Sequence, residues 1–298
     1  MLAFIGSTVS ALRLRPDEAG GWSAPVPRPA GASARRGPGV RTRLLGPGVR
    51  LRWRRAAADT VLFAHPGAEV CVRFHDFGHG RVTTILGDDP GAGHVPQYVV
   101  PAGVTHTISP APGRFALWSE APLGPSAADW EFPKDAWEPV LPPVLPDNRG
   151  NGTPVSGPTA LRPRLTRMTR FTGPAVPGAS VTLSVLTGAG AADRLHAREQ
   201  DVTYLLTAGG PVHQLLLSPE GKTLERRLGP DPAAGHIPAV TVPAGWWRVN
   251  YLGPSAEGTA VSELAHGPGA VARTALRAED ILRRYPRVAR ELLPYAAD

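Results

Sequence analysis

"GHVPQYVVPAGVTH", residues 93–106, and "GHIPAVTVPAGWWR", residues 235–248, are nearly the same stretch written twice in one chain. Each carries a Gly-His-x-Pro turn followed by a Val-Pro-Ala-Gly turn, but the first copy ends on His106 and the second on Arg248. The correspondence extends well upstream. Adding 142 to any position from Arg54 to His106 reaches its counterpart between His196 and Arg248 without a gap. Asp59 meets Asp201, Gly67 meets Gly209, and Leu86-Gly87 meets Leu228-Gly229. A run of that length without an insertion builds the same strands and hairpins twice. The segments between the turns are short and rich in Val, Leu and Thr, the pattern of antiparallel strands in a sandwich or barrel.

The rest of the chain fits a duplicated β architecture. Its 298 residues suffice for two ordinary domains. The 42% hydrophobic content can fill two cores, and 34 Gly with 34 Pro suit a turn-rich fold. The expected class is mainly β: two tandem sandwiches or barrels with short helices at the termini. A Pro- and Gly-rich stretch without periodicity at residues 141–159 reads as a linker between domains at 1–140 and 160–298. Helical signals are confined to "TVSALRLRP" near the start and "RAEDILRRYPRVARELLPY" at the end. In the latter, Glu279 and Asp280 favour the helix dipole and Pro286 must break or kink the helix.

Charge and cysteine content narrow the setting. Cys71 is the one cysteine, so an intramolecular disulfide is excluded and a reducing, cytoplasmic compartment is expected. The initial apolar run lacks a basic region ahead of it and makes a poor signal peptide, and no run approaches a bilayer span. The net charge of +7 comes almost wholly from Arg, with Lys only at Lys134 and Lys222. The Arg clusters at 50–55 and 162–170 alternate with apolar residues and lack an aromatic stacking platform. They read as solvated strand faces. The expected partners are a small-molecule substrate and a second copy in a homodimer, with no nucleic acid and no membrane.

Several stretches resemble the cupin superfamily, in the branch labelled cupin_5 or DUF985. "LRLRPDEAGGW" (residues 12–22) looks like that branch's opening. "LLGPGVRLRWRRAAADTVLFAHPG" (44–67) and "SVLTGAGAADRLHAREQDVTYLLTAGGP" (184–211) look like its first motif. "PVHQLLLSPEG" (211–221) resembles its following hairpin, and the repeated Leu-Gly to Pro-Ala-Gly stretches resemble its second motif. The resemblance implies two tandem cupin jelly-roll barrels, a bicupin, and covers most of the chain twice. A typical cupin holds a divalent metal with two His and a Glu from the first motif and one His from the second.

Carried across, the first-motif His falls on Arg54 and His196, and its Glu on Thr60 and Val202. The second-motif His falls on His106 and Arg248. Each cup keeps one of these ligands and puts an Arg at another. A guanidinium cannot ligate a cation and repels one. Unless His65 or His213 supplies a donor, the expectation is no metal and no other cofactor. A buried guanidinium demands a carboxylate or an anionic ligand as partner.

The function expected from this pattern is a metal-independent cupin-type enzyme: an isomerase, epimerase, cyclase or lyase acting on a small carbonyl-bearing or anionic metabolite. The alternatives are a non-catalytic small-molecule-binding bicupin and a metal-dependent dioxygenase or isomerase. The first cup is the preferred active site. There His106, with His65, serves as acid–base group, Arg54 stabilises an anion, and Thr60 and Gln97 orient the ligand. His196, Tyr204, Trp247 and Arg248 form the second cup's binding set. His94 and His236, beside turn glycines in both copies, read as structural.

Overall fold

A computed structural model describes residues 2–29, 39–76, 80–123, 130–132, 179–254, 257–266 and 273–297. The linker expected at 141–159 and the Arg cluster at 162–170 lie outside these residues. Among the described residues, 2–26 and 39–132 form one compact unit, and 27–29 with 179–297 form another. The protein is mainly β, and each unit is a two-sheet β sandwich of the jelly-roll kind.

In the first unit a six-stranded sheet runs in the order Arg15–Pro16, Trp22–Pro25, Arg41–Leu45, Ala116–Pro122, Thr60–Ala64, Gln97–Val100. Strands Gly80–Leu86, Val70–Asp76 and His106–Pro110 form the second sheet, which a bridge between His106 and Arg54 extends. Leu44, Leu62, Ala64 and Trp118 from one sheet meet Val70, Val72, Phe74 and Ile108 from the other in a single core.

The second unit repeats the plan. Strands Ala179–Thr187, Gly258–His266, Val202–Gly209 and Ala239–Val242 make one sheet. Thr223–Leu228, Val212–Leu217, Trp247–Leu252, His196–Arg198 and Arg273–Ala275 make the other. Val202, Tyr204, Leu206, Val240 and Val261 pack against Val212, Leu216, Leu228 and Leu252 between them. Every strand pair in both units is antiparallel, so alternate residues face the core and the outside.

The duplicated turns have a physical cause that both units share. Asp89 and Asp231 cap the short 3-10 helices Pro90–Ala92 and Pro232–Ala234, each with Pro in its first turn. Gly93 and Gly235 end those helices at φ of 80° and 78°, a left-handed conformation suited to glycine. The histidines that follow fold back over the Leu-Gly pair. A Cβ added at Gly87 would strike the His94 ring, and one at Gly229 would strike His236. The His236 Nδ1 also accepts from the backbone N–H of Asp231 at 3.3 Å. Asp59 and Asp201 hold the Val-Pro-Ala-Gly turns by accepting from the backbone N–H of Ala102 at 2.7 Å and of Ala244 at 2.9 Å.

The termini differ in detail from the sequence reading. The N-terminal helix spans Leu2–Ala11, while Arg15–Pro16, inside the helical expectation, pairs with Trp22–Ser23 as a strand. The helix is closed by Arg13, which takes a left-handed conformation (φ 52°) and lets the N–H of Leu14 donate back to Val9 O at 2.9 Å. At the other end, Ala278–Arg284 and Ala289–Leu292 are separate helices divided at Pro286, with Glu279 and Asp280 in the first turn. Of the Arg cluster at 50–55, Arg50 and Arg52 are exposed but Arg54 is fully buried, so the solvated-face reading fails at that residue.

Because the histidine ring occupies the space over the glycine, Gly229→Ala should destabilise the second unit by about 1–3 kcal/mol, the usual cost of overpacking. Denaturant unfolding checks this. Adding His236→Ala should return part of the loss, and strictly additive losses would refute the packing account.

Candidate functional site

Strand alternation decides which predicted residues share a cup. In the first unit the pairs Leu62↔Glu120 and Leu62↔Tyr98 lie on the core face, and Phe63↔Ser119 and Phe63↔Gln97 lie on the other. Thr60, Arg54 and His106 are fully buried on the core side. Gln97 is not: it shares the outer face with Phe63, while its neighbour Tyr98 reaches the cup and packs against Phe74. His65 is also on the outer side, where its Nε2 meets the Ser119 hydroxyl at 2.8 Å, and that hydroxyl meets Thr42 at 3.1 Å. The structure therefore does not bring His65 and Gln97 together with His106 and Arg54.

The partner that Arg54 requires is Glu120, which the sequence reading did not single out. Arg54 Nη2 donates to Glu120 Oε2 at 2.6 Å and Nη1 to Oε1 at 3.3 Å. Arg43 Nε donates to the same carboxylate at 2.5 Å and its Nη1 sits 3.0 Å from Asp17. Burial alone would raise the Glu120 carboxyl, but the two guanidiniums outweigh it and hold the group well below the usual carboxylate range. His106 is enclosed, its Nδ1 donating to Val104 O at 3.1 Å. Burial, reinforced by the Arg54 charge, pushes it down to about 3, so it is neutral at ordinary pH. A ring with that value is poorly matched to proton transfer near neutrality.

The second cup uses the same frame differently. His196 and Arg248 are direct partners on adjacent strands, and Arg248 Nη2 donates to His196 Nε2 at 2.7 Å. The His196 Nδ1 donates to Arg194 O at 2.6 Å, which leaves Nε2 as the acceptor. Arg248 stacks 3.8 Å over the Tyr204 ring and lies 3.4 Å from Glu263 Oε2. Glu263 is the counterpart of Glu120, since both pair across from equivalent strand positions, Tyr204 and Leu62. It also accepts from Ser184 at 2.7 Å and from Arg198.

At the edge of this cluster is Asp193, 3.8 Å from Arg248 Nη1, with 23% of its side chain exposed. Its carboxylate accepts from the backbone and side-chain N–H of Asn250 at 2.6 and 3.0 Å. Burial pushes its carboxyl up to about 6, the nearby Arg248 only partly offsetting that. Asn250 in turn accepts from Gln214 at 3.0 Å. At the matching positions the first cup has Leu51, Leu62, Val72 and Ile108, where the second has Asp193, Tyr204, Gln214 and Asn250. The richer polar cup is the second, the reverse of the sequence preference.

Trp247 does not line that cup. It alternates with Arg248, so its indole lies outside with Leu217, Ile281 and Tyr285 and donates to the Tyr285 hydroxyl at 3.1 Å. His213 is outside as well, bonded to Glu225 at 2.9 Å and stacked on Tyr251. Neither His213, bonded to Glu225, nor His65, bonded to Ser119, joins the ligand positions of its cup. Among the described residues, no three His, Cys, Asp or Glu side chains are grouped to hold an ion. The donor sets Arg54–Thr60–His106 and His196–Val202–Arg248 do not fit the divalent metal that the fold type implies: each holds one imidazole, no carboxylate and a repelling guanidinium.

A duplicated jelly roll with these signature turns is a bicupin, and the chain belongs to the cupin superfamily. The family profile described as Cupin superfamily (DUF985) matches residues 7–123 and 168–269. No curated protein matches the chain. Among solved structures, a mutant Bacillus subtilis oxalate decarboxylase is 12% identical, over 95% of this chain and 82% of that one, with a TM-score of 0.53. A second structure, from a study of the Mn(II) centres of the Bacillus subtilis enzyme, is also 12% identical, over 89% and 78%, with a TM-score of 0.52. A Shewanella oneidensis protein is 25% identical over 42% of this chain and 81% of its own, with a TM-score of 0.36. The oxalate decarboxylase likenesses are likenesses of fold. Among the described residues, no helix is long and apolar enough to cross a membrane.

Folding holds the His106 ring unprotonated, so that contribution is complete above the ordinary histidine value of 6.5 and is lost as pH falls toward about 3. By pH 4.5 it should have cost about 3 kcal/mol, since each pH unit over that range is worth roughly 1.4 kcal/mol. Urea midpoints measured from pH 7 to 4.5 should drop steeply for the wild type and less steeply for His106→Asn, which keeps a donor at the Nδ1 position. Parallel slopes would show that His106 is not held neutral.

Proposed function

We propose that this protein is a metal-independent, cupin-type acid–base enzyme for a small carbonyl-bearing or anionic metabolite, with the second cup as its reactive centre. The observation that carries the reading is the second cup's buried polar interior. Among the described residues, Arg248 Nε and Nη1, Tyr204 Oη and Gln214 Oε1 are enclosed there without a hydrogen-bond partner. Buried polar groups left in that condition cost stability, and a bound ligand that brings oxygen acceptors to Arg248 and Tyr204 and a hydroxyl donor to Gln214 removes the cost. Fork-shaped guanidinium donors and a phenol hydroxyl suit a carboxylate, a carbonyl or the enolate formed from it.

On this reading Asp193 moves the proton. It is the partly exposed member of the cluster, and a carboxyl near 6 is well placed for acid–base work close to neutrality. His196 positions Arg248 through the 2.7 Å bond, and Tyr204 supports the guanidinium from below and offers its hydroxyl to the ligand. Burial raises the Tyr204 phenol, so it acts as a donor and not as a base. The first cup, closed by Arg54, Glu120, Arg43 and Asp17, is a structural barrel. The sequence-based assignment of His106 as acid–base group and Arg54 as anion holder gives way to the second cup here. A purely binding bicupin is the second reading, favoured by the closed first cup.

A thermal-shift screen of small carboxylates, 2-oxo acids and sugars tests the proposal. A compound that stabilises the wild type should bind about tenfold or more weakly to Tyr204→Phe and Arg248→Lys, which lose a donor or the fork. It should be unaffected by Thr60→Val in the first cup. With a turned-over compound, Asp193→Asn should lower the rate by about a hundredfold or more and abolish the pH limb near 6. Ligands insensitive to all second-cup variants would sink the assignment.

A further inference from the structure

The orientation of one buried amide in the second cup is set two residues away from it. Asp193, which only accepts when ionised, takes the backbone N–H of Asn250 on one oxygen at 2.6 Å and its side-chain N–H on the other at 3.0 Å. The Asn250 amide is thereby fixed with its nitrogen toward Asp193 and its oxygen toward Gln214. Gln214 Nε2 donates to that oxygen at 3.0 Å, which leaves Gln214 Oε1 as the free end of the relay. Gln214 and Asn250 are direct cross-strand partners, and Arg248 is two positions along the Asn250 strand, opposite Leu216. Gln214 alternates with the core residues Val212 and Leu216, so it is on the inner face of the sheet. Its side chain is fully buried, and among the described residues Oε1 has no hydrogen-bond donor.

The barrel does not require this relay. At the matching positions the first unit has Leu51, Val72 and Ile108, all buried, and the same frame closes over them. Three polar residues stand together where three aliphatic ones suffice, and what they accomplish jointly is to aim one acceptor. We propose that the Asp193–Asn250–Gln214 relay selects a hydroxyl group on the ligand, and that the second cup's ligand is a short monocarboxylic hydroxy acid. This rests on the assignment of the second cup as the ligand site and narrows it to one substrate class. The hydrogens on Arg248 Nε and Nη1 and on Tyr204 Oη, which have no acceptor among the described residues, take the carboxylate. Gln214 Oε1 takes the hydroxyl hydrogen. A second carboxylate has no cation waiting for it, because Arg198 is engaged by Glu263. An oxo group in place of the hydroxyl sets two acceptor oxygens against each other, and a methylene leaves Gln214 unpaired; either forfeits a buried hydrogen bond. An ammonium group fits worse, since it needs several acceptors and adds a like charge beside Arg248.

The test is calorimetric titration of the full-length chain with matched sets of short monocarboxylates: the hydroxy acid, the oxo acid, the unsubstituted acid and the amino acid of each chain length, beginning with lactate, pyruvate, propionate and alanine. The best-binding hydroxy acid should exceed its three counterparts by about tenfold or more. Gln214→Met should erase that preference by weakening the hydroxy acid and sparing the others. Asn250→Leu frees the Gln214 amide to turn its nitrogen to the ligand, and should shift the ratio toward the oxo acid by about tenfold or more. A general loss of stability does not produce such a shift. Tyr204→Phe and Arg248→Lys should weaken all the acids together. Should a relay variant fail to fold, the wild-type ratios alone decide. Acids that respond to Tyr204→Phe and Arg248→Lys but show no preference for the hydroxyl, or keep it in Gln214→Met, would overturn the hydroxy-acid inference and leave the ligand site standing. A panel in which no hydroxy acid binds overturns it as well, and a different compound sensitive to those two variants would still uphold the site.

Discussion

A guanidinium locked inside a β sandwich is the constraint around which each unit is organised. Arg54 and Arg248 have 0% and 1% of their surface exposed. A charge so enclosed is tolerated only with a close counter-charge and with its hydrogens largely used. Each unit supplies the counter-charge from the same place, the long strand that pairs with the strand carrying Leu62 or Tyr204. Glu120 and Glu263 are then themselves buried and need further donors. Arg43, itself paired with Asp17, follows in one unit, and Arg198 and Ser184 in the other. Removing either partner of such a pair leaves an uncompensated charge, typically costing about 3–5 kcal/mol, so the networks are held as wholes.

From that shared plan the two interiors have diverged. The first unit surrounds its ion pair with Leu51, Leu62, Val72, Ile108 and Trp118, and its remaining titratable group, His106, is held neutral. The second surrounds the pair with Asp193, Tyr204, Gln214 and Asn250, and among the described residues the Tyr204 hydroxyl and the Gln214 amide oxygen have no hydrogen-bond partner. An apolar shell around a neutralised pair makes a stable core. A polar shell with open valences is costly to fold around and is kept where something fills it. The same turns, built by the same Asp, Pro and Gly positions, therefore frame one barrel with an apolar interior and one with a polar interior.

The fold was legible in the sequence because duplication repeats local chemistry: the Asp caps, the prolines in the first turn and the left-handed glycines all recur at a constant spacing. The site was only half legible. Aligning motifs placed Arg54, His106, His196 and Arg248 correctly inside the cups, but it ignored the period-2 alternation that turns Trp247 away from its neighbour Arg248 and Gln97 away from Tyr98. The same constant spacing, read further, would have set Tyr204 against Leu62 and Asn250 against Ile108 and shown which interior was polar. Glu120 and Glu263 were harder to find. They are 143 residues apart, not 142, and lie beyond the ungapped repeat, so only strand pairing makes them equivalent.

The exchange of His and Arg between the two cups follows from the geometry of adjacent strands. Arg54 faces His106 across one bridge, and His196 faces Arg248 across the matching pair, so either order puts one imidazole and one guanidinium side by side. What differs is the direction from which the cation enters. Arg54 comes from the edge segment and reaches Glu120 with both terminal nitrogens, leaving His106 behind it. Arg248 comes from a central strand and divides its reach among His196, Glu263 and Asp193, with its flat face on Tyr204. A fork fully engaged by one carboxylate has little left to offer a ligand. A fork divided among several contacts keeps donors in reserve, and the proposed division into a structural and a chemical cup rests on that distinction in geometry.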